Sequence, residues 1–170
     1  MQILSNIFNH PFFIILGGLA TLFSVVVFLF TIYLFIKGIF PVLYRLGMGL
    51  AKRKIAIFAE EEFDSLKSML VDSKIFQPTN IVRVDKGSIK KAGDLSLFLV
   101  DWNSFGSEID KIIDIKKDAA ALVIYAPPRA VSDIDMGKIN SQRNSIIVNF
   151  RGRLLNDILT SMMTTSFKER

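Results

Sequence analysis

Residues 12–36, FFIILGGLATLFSVVVFLFTIYLFI, form 25 consecutive positions without a charge, and no other feature restricts so strongly what the chain can become. At a rise of ~1.5 Å per residue such a run crosses a hydrocarbon core ~30 Å thick with length left for tilt. The run therefore predicts a transmembrane helix. A cleaved signal peptide would open with a positive segment and carry an apolar core of only ~7–15 residues, whereas MQILSNIFNH at the start holds no Lys or Arg. A core helix of a soluble domain rarely reaches ~18 uncharged apolar residues.

The cations fix the expected orientation. Lys37, Arg45, Lys52, Arg53 and Lys54 follow the run with no acid among them, and nothing positive precedes it. The positive-inside rule then places residues 1–11 outside and everything from 37 onward in the cytoplasm of a single-pass inner-membrane protein. Residues 55–170 carry 16 cations and all 16 acids, so the net charge of +5 belongs to the five juxtamembrane residues. They read as a membrane-surface set, each worth about 1 kcal/mol against anionic lipid. Binding to DNA or RNA is not expected, because that needs a basic face on the folded domain. The segment 37–51, KGIFPVLYRLGMGLA, contains Lys37, Pro41 and Arg45, so it predicts a helix that kinks or ends near Pro41 and then lies at the interface rather than a second span. Gly17, Gly18 and Ala20 allow close helix packing, as a homo-oligomer would require.

Beyond residue 54 the hydrophobic period alternates. Short apolar runs at 54–59, 80–84, 95–101, 120–126 and 145–150 read as strands. Between them, 61–71, 105–115 and 152–163 carry apolar residues at helical spacing, 88–93 reads as one helical turn closed by Gly93, and 132–140 as helix or loop. Near-continuous apolar strands alternating with helices mean a parallel sheet covered on both faces. The expected architecture is α/β: a transmembrane helix (12–36), a basic juxtamembrane segment (37–54) and a five-stranded doubly wound, Rossmann-like or flavodoxin-like cytosolic domain (55–170).

Ligands of such sheets sit at the carboxyl ends of the strands. Those ends carry Glu60, Glu61 and Glu62; Asp101 and Trp102; Pro127, Pro128 and Arg129; and Asn149 through Arg153. This layout resembles the receiver domain of two-component response regulators, with acids after strands one and three and a cation after strand five. The resemblance implies a magnesium site at Glu60 or Glu61 with Asp101, and phosphorylation of Asp101. The sequence departs from that family at the Ser/Thr after strand four, which falls at Ala126 or Pro127, and at the lysine after strand five, for which Arg151 is the candidate. Arginine is not a compact charge of the lysine kind, so active phosphotransfer is not expected.

Arg151 and Arg153 flank Gly152 at the start of the last helix, where free N–H groups favour an anion. They either hold a nucleotide-type ligand together with Asp101, Trp102 and Arg129, or they pair with Asp101, Asp157 or the Glu60–Glu62 cluster. Asn156, Asp157, Thr160, Thr164 and Thr165 are expected to form a solvated face rather than an interface with a partner or a second copy. FAEEEF occupies the place of a glycine-rich phosphate loop, there is no cysteine, and the one histidine, His10, precedes the apolar run. Zinc-type sites and Ser-His or Cys-His nucleophiles are thereby excluded, and the sequence calls for no cofactor and no enzyme activity.

Two classes of function remain. The first is a membrane-anchored sensor of an anionic ligand or partner; it resembles the TIR- or CARF-like sensing domains on membrane anchors in bacterial anti-phage signalling, which implies a nucleotide messenger and oligomerisation. The second is a scaffold that docks a cytosolic protein, with a degenerate receiver as its variant. A sensor should hold its two arginines open and convergent; a scaffold should have them consumed in salt bridges.

Overall fold

The computed structural model describes residues 10–165, except the side chains of residues 45, 46 and 48–51. The extracytoplasmic stretch expected over 1–11 and the end of the domain therefore lie largely outside the described residues, as does the Arg45 side chain. The chain divides into two compact units, Met1–Arg45 and Leu46–Arg170.

Helix α1, Pro11–Lys52, is continuous for 42 residues. Proline at its first position has no N–H to leave unsatisfied, and the hydroxyls of Thr21, Ser24 and Thr31 each donate to the carbonyl four residues back at 2.8 Å. Within it, Pro11–Tyr44 is long and apolar enough to cross a membrane, and none of it is buried inside the protein; a signal sequence near the N-terminus can also be this apolar. The helix does not end at Pro41, as expected from the sequence, nor fold back as a hairpin. Pro41 removes one N–H donor, whereas stopping there would leave the last four carbonyls of an apolar helix without donors.

The second unit holds the sheet. Strands β1 (Ile55–Phe58), β2 (Ile81–Arg83), β3 (Leu97–Asp101), β4 (Ala121–Tyr125) and β5 (Ser145–Val148) are all parallel, in the order β2-β1-β3-β4-β5. Alternate side chains point to opposite faces, and both faces are covered, which explains the unbroken apolar runs. On one face Ile55, Ile57, Leu97 and Leu99 pack with Leu66 and Leu70 of α2 (Phe63–Asp72) and with Leu154 and Ile158 of α6 (Arg151–Thr164). On the other, Phe58, Phe98 and Ile124 meet Phe105 of the short α3 (Trp102–Phe105), Ile112 of α4 (Ile109–Ile115) and Ile139 of α5 (Asp133–Asn140). The Phe58 ring stands 5.4 Å from that of Phe98 and 5.8 Å from that of Phe105.

The single helix expected over 105–115 is divided. It starts at Trp102, passes through a 3-10 turn at Gly106–Glu108 and resumes as α4, because Asp101 caps it three residues earlier than the apolar spacing indicates. The turn around 88–93 is a 3-10 helix, Lys86–Ala92, closed at Gly93. Residues 132–140 resolve as helix, with the Ser132 hydroxyl accepting from the Asp135 N–H at 3.2 Å.

Candidate functional site

Because β2 and β3 lie on opposite sides of β1, the chain reverses direction across the sheet between β1 and β3. In open parallel sheets a crevice opens at the carboxyl ends of the two strands beside that reversal. Here those ends carry Glu60 and Asp101.

Asp101 ends β3 and is 1% exposed. Its Oδ2 accepts from the Ser104 N–H at 3.2 Å and the Ser104 hydroxyl at 2.6 Å. Ser104 Oγ accepts in turn from the Glu60 N–H at 3.4 Å, so one serine joins the ends of the two strands. Asp101 Oδ1 has no hydrogen-bond partner among the described residues. Lys86 Nζ lies 3.1 Å from Glu60 Oε1 and 5.7 Å from the centre of the Phe105 ring.

The other expected site residues form separate groups. The Trp102 Nε1–H donates to the Ala130 carbonyl at 3.1 Å. Gly106 lies against the indole, so that a Cβ there would come within 2.9 Å of it. Arg129, next to Ala130, is exposed with φ 65°, a conformation that a bulky residue adopts only when its surroundings impose it. Arg129 makes no hydrogen bond or ion pair with the described residues. Arg151 Nη1 lies 3.1 Å from Glu62 Oε2, and its Nη2 donates to Ser65 Oγ. Arg153 Nη2 lies 3.9 Å from Asp157 Oδ1, one turn along the same helix. Around Gly152 no described atom would meet a Cβ within 4 Å, so no close approach of backbone requires glycine there.

Of the two sequence readings of the arginines, the observed contacts are ion pairs with Glu62 and Asp157. Asp101 pairs with neither arginine: Ser104 takes its Oδ2, and both guanidinium groups are directed to other residues. Asp157 and Thr165, expected on a solvated face, are buried. Sequence reasoning missed Ser104, Ser65 and Lys86. Asp101, an N-cap residue whose side chain accepts from the N–H three residues on, is a helix-start signal that points to the first of them.

Arg53 departs from the membrane-surface set. Its guanidinium is buried, with Nη1 donating to the Met162 carbonyl at 2.8 Å and to Thr165 Oγ1 at 2.5 Å, and Nη2 to the Thr165 carbonyl. Burial holds its pKa below the ordinary arginine value. Lys37, Lys52 and Lys54 are exposed, and Lys37 Nζ lies 3.3 Å from the Tyr33 hydroxyl.

The arrangement does not fit receiver chemistry. Arg151, the candidate for the family's lysine, is bound to Glu62 and Ser65; Ala126 has no hydroxyl; Lys86 holds Glu60. Among the described residues no three His, Cys, Asp or Glu side chains cluster as metal ligands. Comparison of the chain with family models, curated proteins and solved structures finds no match.

Proposed function

We propose that this chain is a membrane-anchored docking module without enzyme activity. α1 spans the bilayer, the second unit is a flavodoxin-like domain in the cytoplasm, and the carboxyl edge of its sheet binds a cytosolic protein. The observation that carries this reading is that the two arginines turn to different partners within the chain, Arg151 to Glu62 and Ser65 and Arg153 to Asp157, rather than to a shared anion. The same edge presents Phe150, 64% exposed, Ile134, 76% exposed, and the unpaired Arg129. A protein segment with apolar side chains and a carboxylate suits that combination, since exposed apolar residues beside polar ones mark protein contacts. The flavodoxin-like assignment is supported by the strand order, which matches that of such sheets.

The test pairs two measurements on the full chain. A photo-crosslinking residue at position 150 or 134, introduced in cells, should yield one discrete protein adduct that Arg129→Glu removes. The same residue at Lys74, after α2 at the opposite end of the domain, should yield none. Calorimetric titration with nucleotides and cyclic nucleotides should give no saturable heat; binding that Arg151→Ala abolishes would replace docking with ligand sensing.

A further inference from the structure

Two arginines strap one helix to both ends of one strand. α6 lies over β4 and β5, yet its two ends are tied to the segments that flank β1, on the far side of β3. At the first turn, Arg151 reaches Glu62 at 3.1 Å and Ser65, on the chain leaving β1. At the last turn, Arg53, two residues before β1, donates to the carbonyls of Met162 and Thr165 and to the Thr165 hydroxyl. Carbonyls in the last turn of a helix lack intrahelical donors, and a cation is favoured beside them.

The two straps differ in strength. Arg151 and Glu62 are 41% and 44% exposed, so water and incoming groups compete for their contact. Arg53 is 3% exposed, and its bonds have no such competitor. A carboxylate that takes Arg151, or a cation that takes Glu62, therefore opens the exposed strap first. The 14 residues of α6 form a rod of ~21 Å at ~1.5 Å per residue, which carries a shift of its first turn to the last.

We propose that α6 transmits the state of the carboxyl edge to Arg53, and so to the point where the long helix α1 gives way to the sheet. The inference rests on the docking reading only for what perturbs the edge; the mechanical link stands or falls separately. Hydrogen exchange on the full chain in lipid nanodiscs tests it, comparing wild type with Glu62→Gln and Arg151→Lys. Exchange at residues 53–56 and 162–165 should rise about twofold or more while β3 and β4 keep their protection, the pattern of local rather than global opening. Coupling is reciprocal, so Arg53→Lys, or Thr165→Val should the former not fold, should raise exchange at residues 60–66. A change that stays at the mutated end, one that travels in a single direction, or one spread evenly over all strands overturns the proposal. Loss of the photo-adduct at Phe150 would sink the docking reading and leave these exchange results untouched.

Discussion

Asp101 sits where an apolar strand stops, and its two oxygens have different environments. Oδ2 receives two bonds from Ser104, which also accepts from Glu60, while Oδ1 receives none from the described residues. An amide keeps the accepting oxygen and adds a donor on the orphaned side. Asp101→Asn should therefore change stability by less than about 1 kcal/mol, whereas Asp101→Ala, which removes the cap, should cost about 1–2 kcal/mol; thermal unfolding of the two variants decides the order. Gly106 supplies a second prediction. A methyl at 2.9 Å from the Trp102 ring forces the indole to move, and moving it stretches the Nε1–H bond to Ala130. Trp102 is the one tryptophan of the chain, so Gly106→Ala should shift its emission to longer wavelength and cost about 1–3 kcal/mol. The place of Asp101 was legible because strand ends follow from hydrophobic runs. The link from Ser104 to Glu60 was not, since a contact between two strand ends depends on which strands lie side by side. Arg53 was misread for a related reason: a charge count in KRK says nothing about which cation the last helix covers.

At the scale of elements, period and composition carried most of the information. The central strands β1, β3 and β4 fall where continuous apolar runs occur, because a sheet covered on both faces needs apolar residues at every position, whereas the edge strand β2 carries Arg83 and is exposed at two of its three residues. Their order is different: it follows from which helix covers which pair, and no local pattern encodes that. Whether 132–140 forms helix or loop was open because DIDMGKIN is weakly amphipathic; the Ser132 cap and the contacts of Lys138 settle it as helix. Lys138 Nζ lies 2.8 Å from Asp110 on α4 and 3.4 Å from Asp135. The hydrogen bond to Asp110 is the main cause that raises its pKa above the ordinary 10.5. A base whose pKa is raised by folding stabilises the fold below its unfolded value and ceases to do so as pH climbs through the folded one. Lys138→Met should thus melt below wild type at pH 8, and the gap should close as pH climbs past the raised lysine pKa. Ser132→Ala should lower stability by about 1 kcal/mol at either pH, since its cap is a neutral hydroxyl.

For the whole molecule, the apolar run and the domain that follows it pose separate problems of solvation. The side chains of Pro11–Tyr44 find no cover within the protein, and a helix apolar all round needs a membrane or other chains. If α1 spans a bilayer, the full chain should stay in the membrane pellet after alkaline carbonate extraction; release into the supernatant would exclude the anchor. The domain, in contrast, should dissolve without α1, and where it is cut matters. A boundary placed at the first strand, giving residues 55–170, discards Arg53 and strips donors from the Met162 and Thr165 carbonyls. A boundary at residue 46 keeps them. Buried hydrogen bonds to a charged donor contribute about 1.5–3 kcal/mol each, and their loss leaves desolvated carbonyls behind. Denaturant unfolding should accordingly place the 46–170 fragment several kcal/mol above the 55–170 fragment, with Arg53→Met in the longer one reproducing most of the difference. Equal midpoints would mean that water replaces the guanidinium at no cost and that the buried strap does not hold the end of α6.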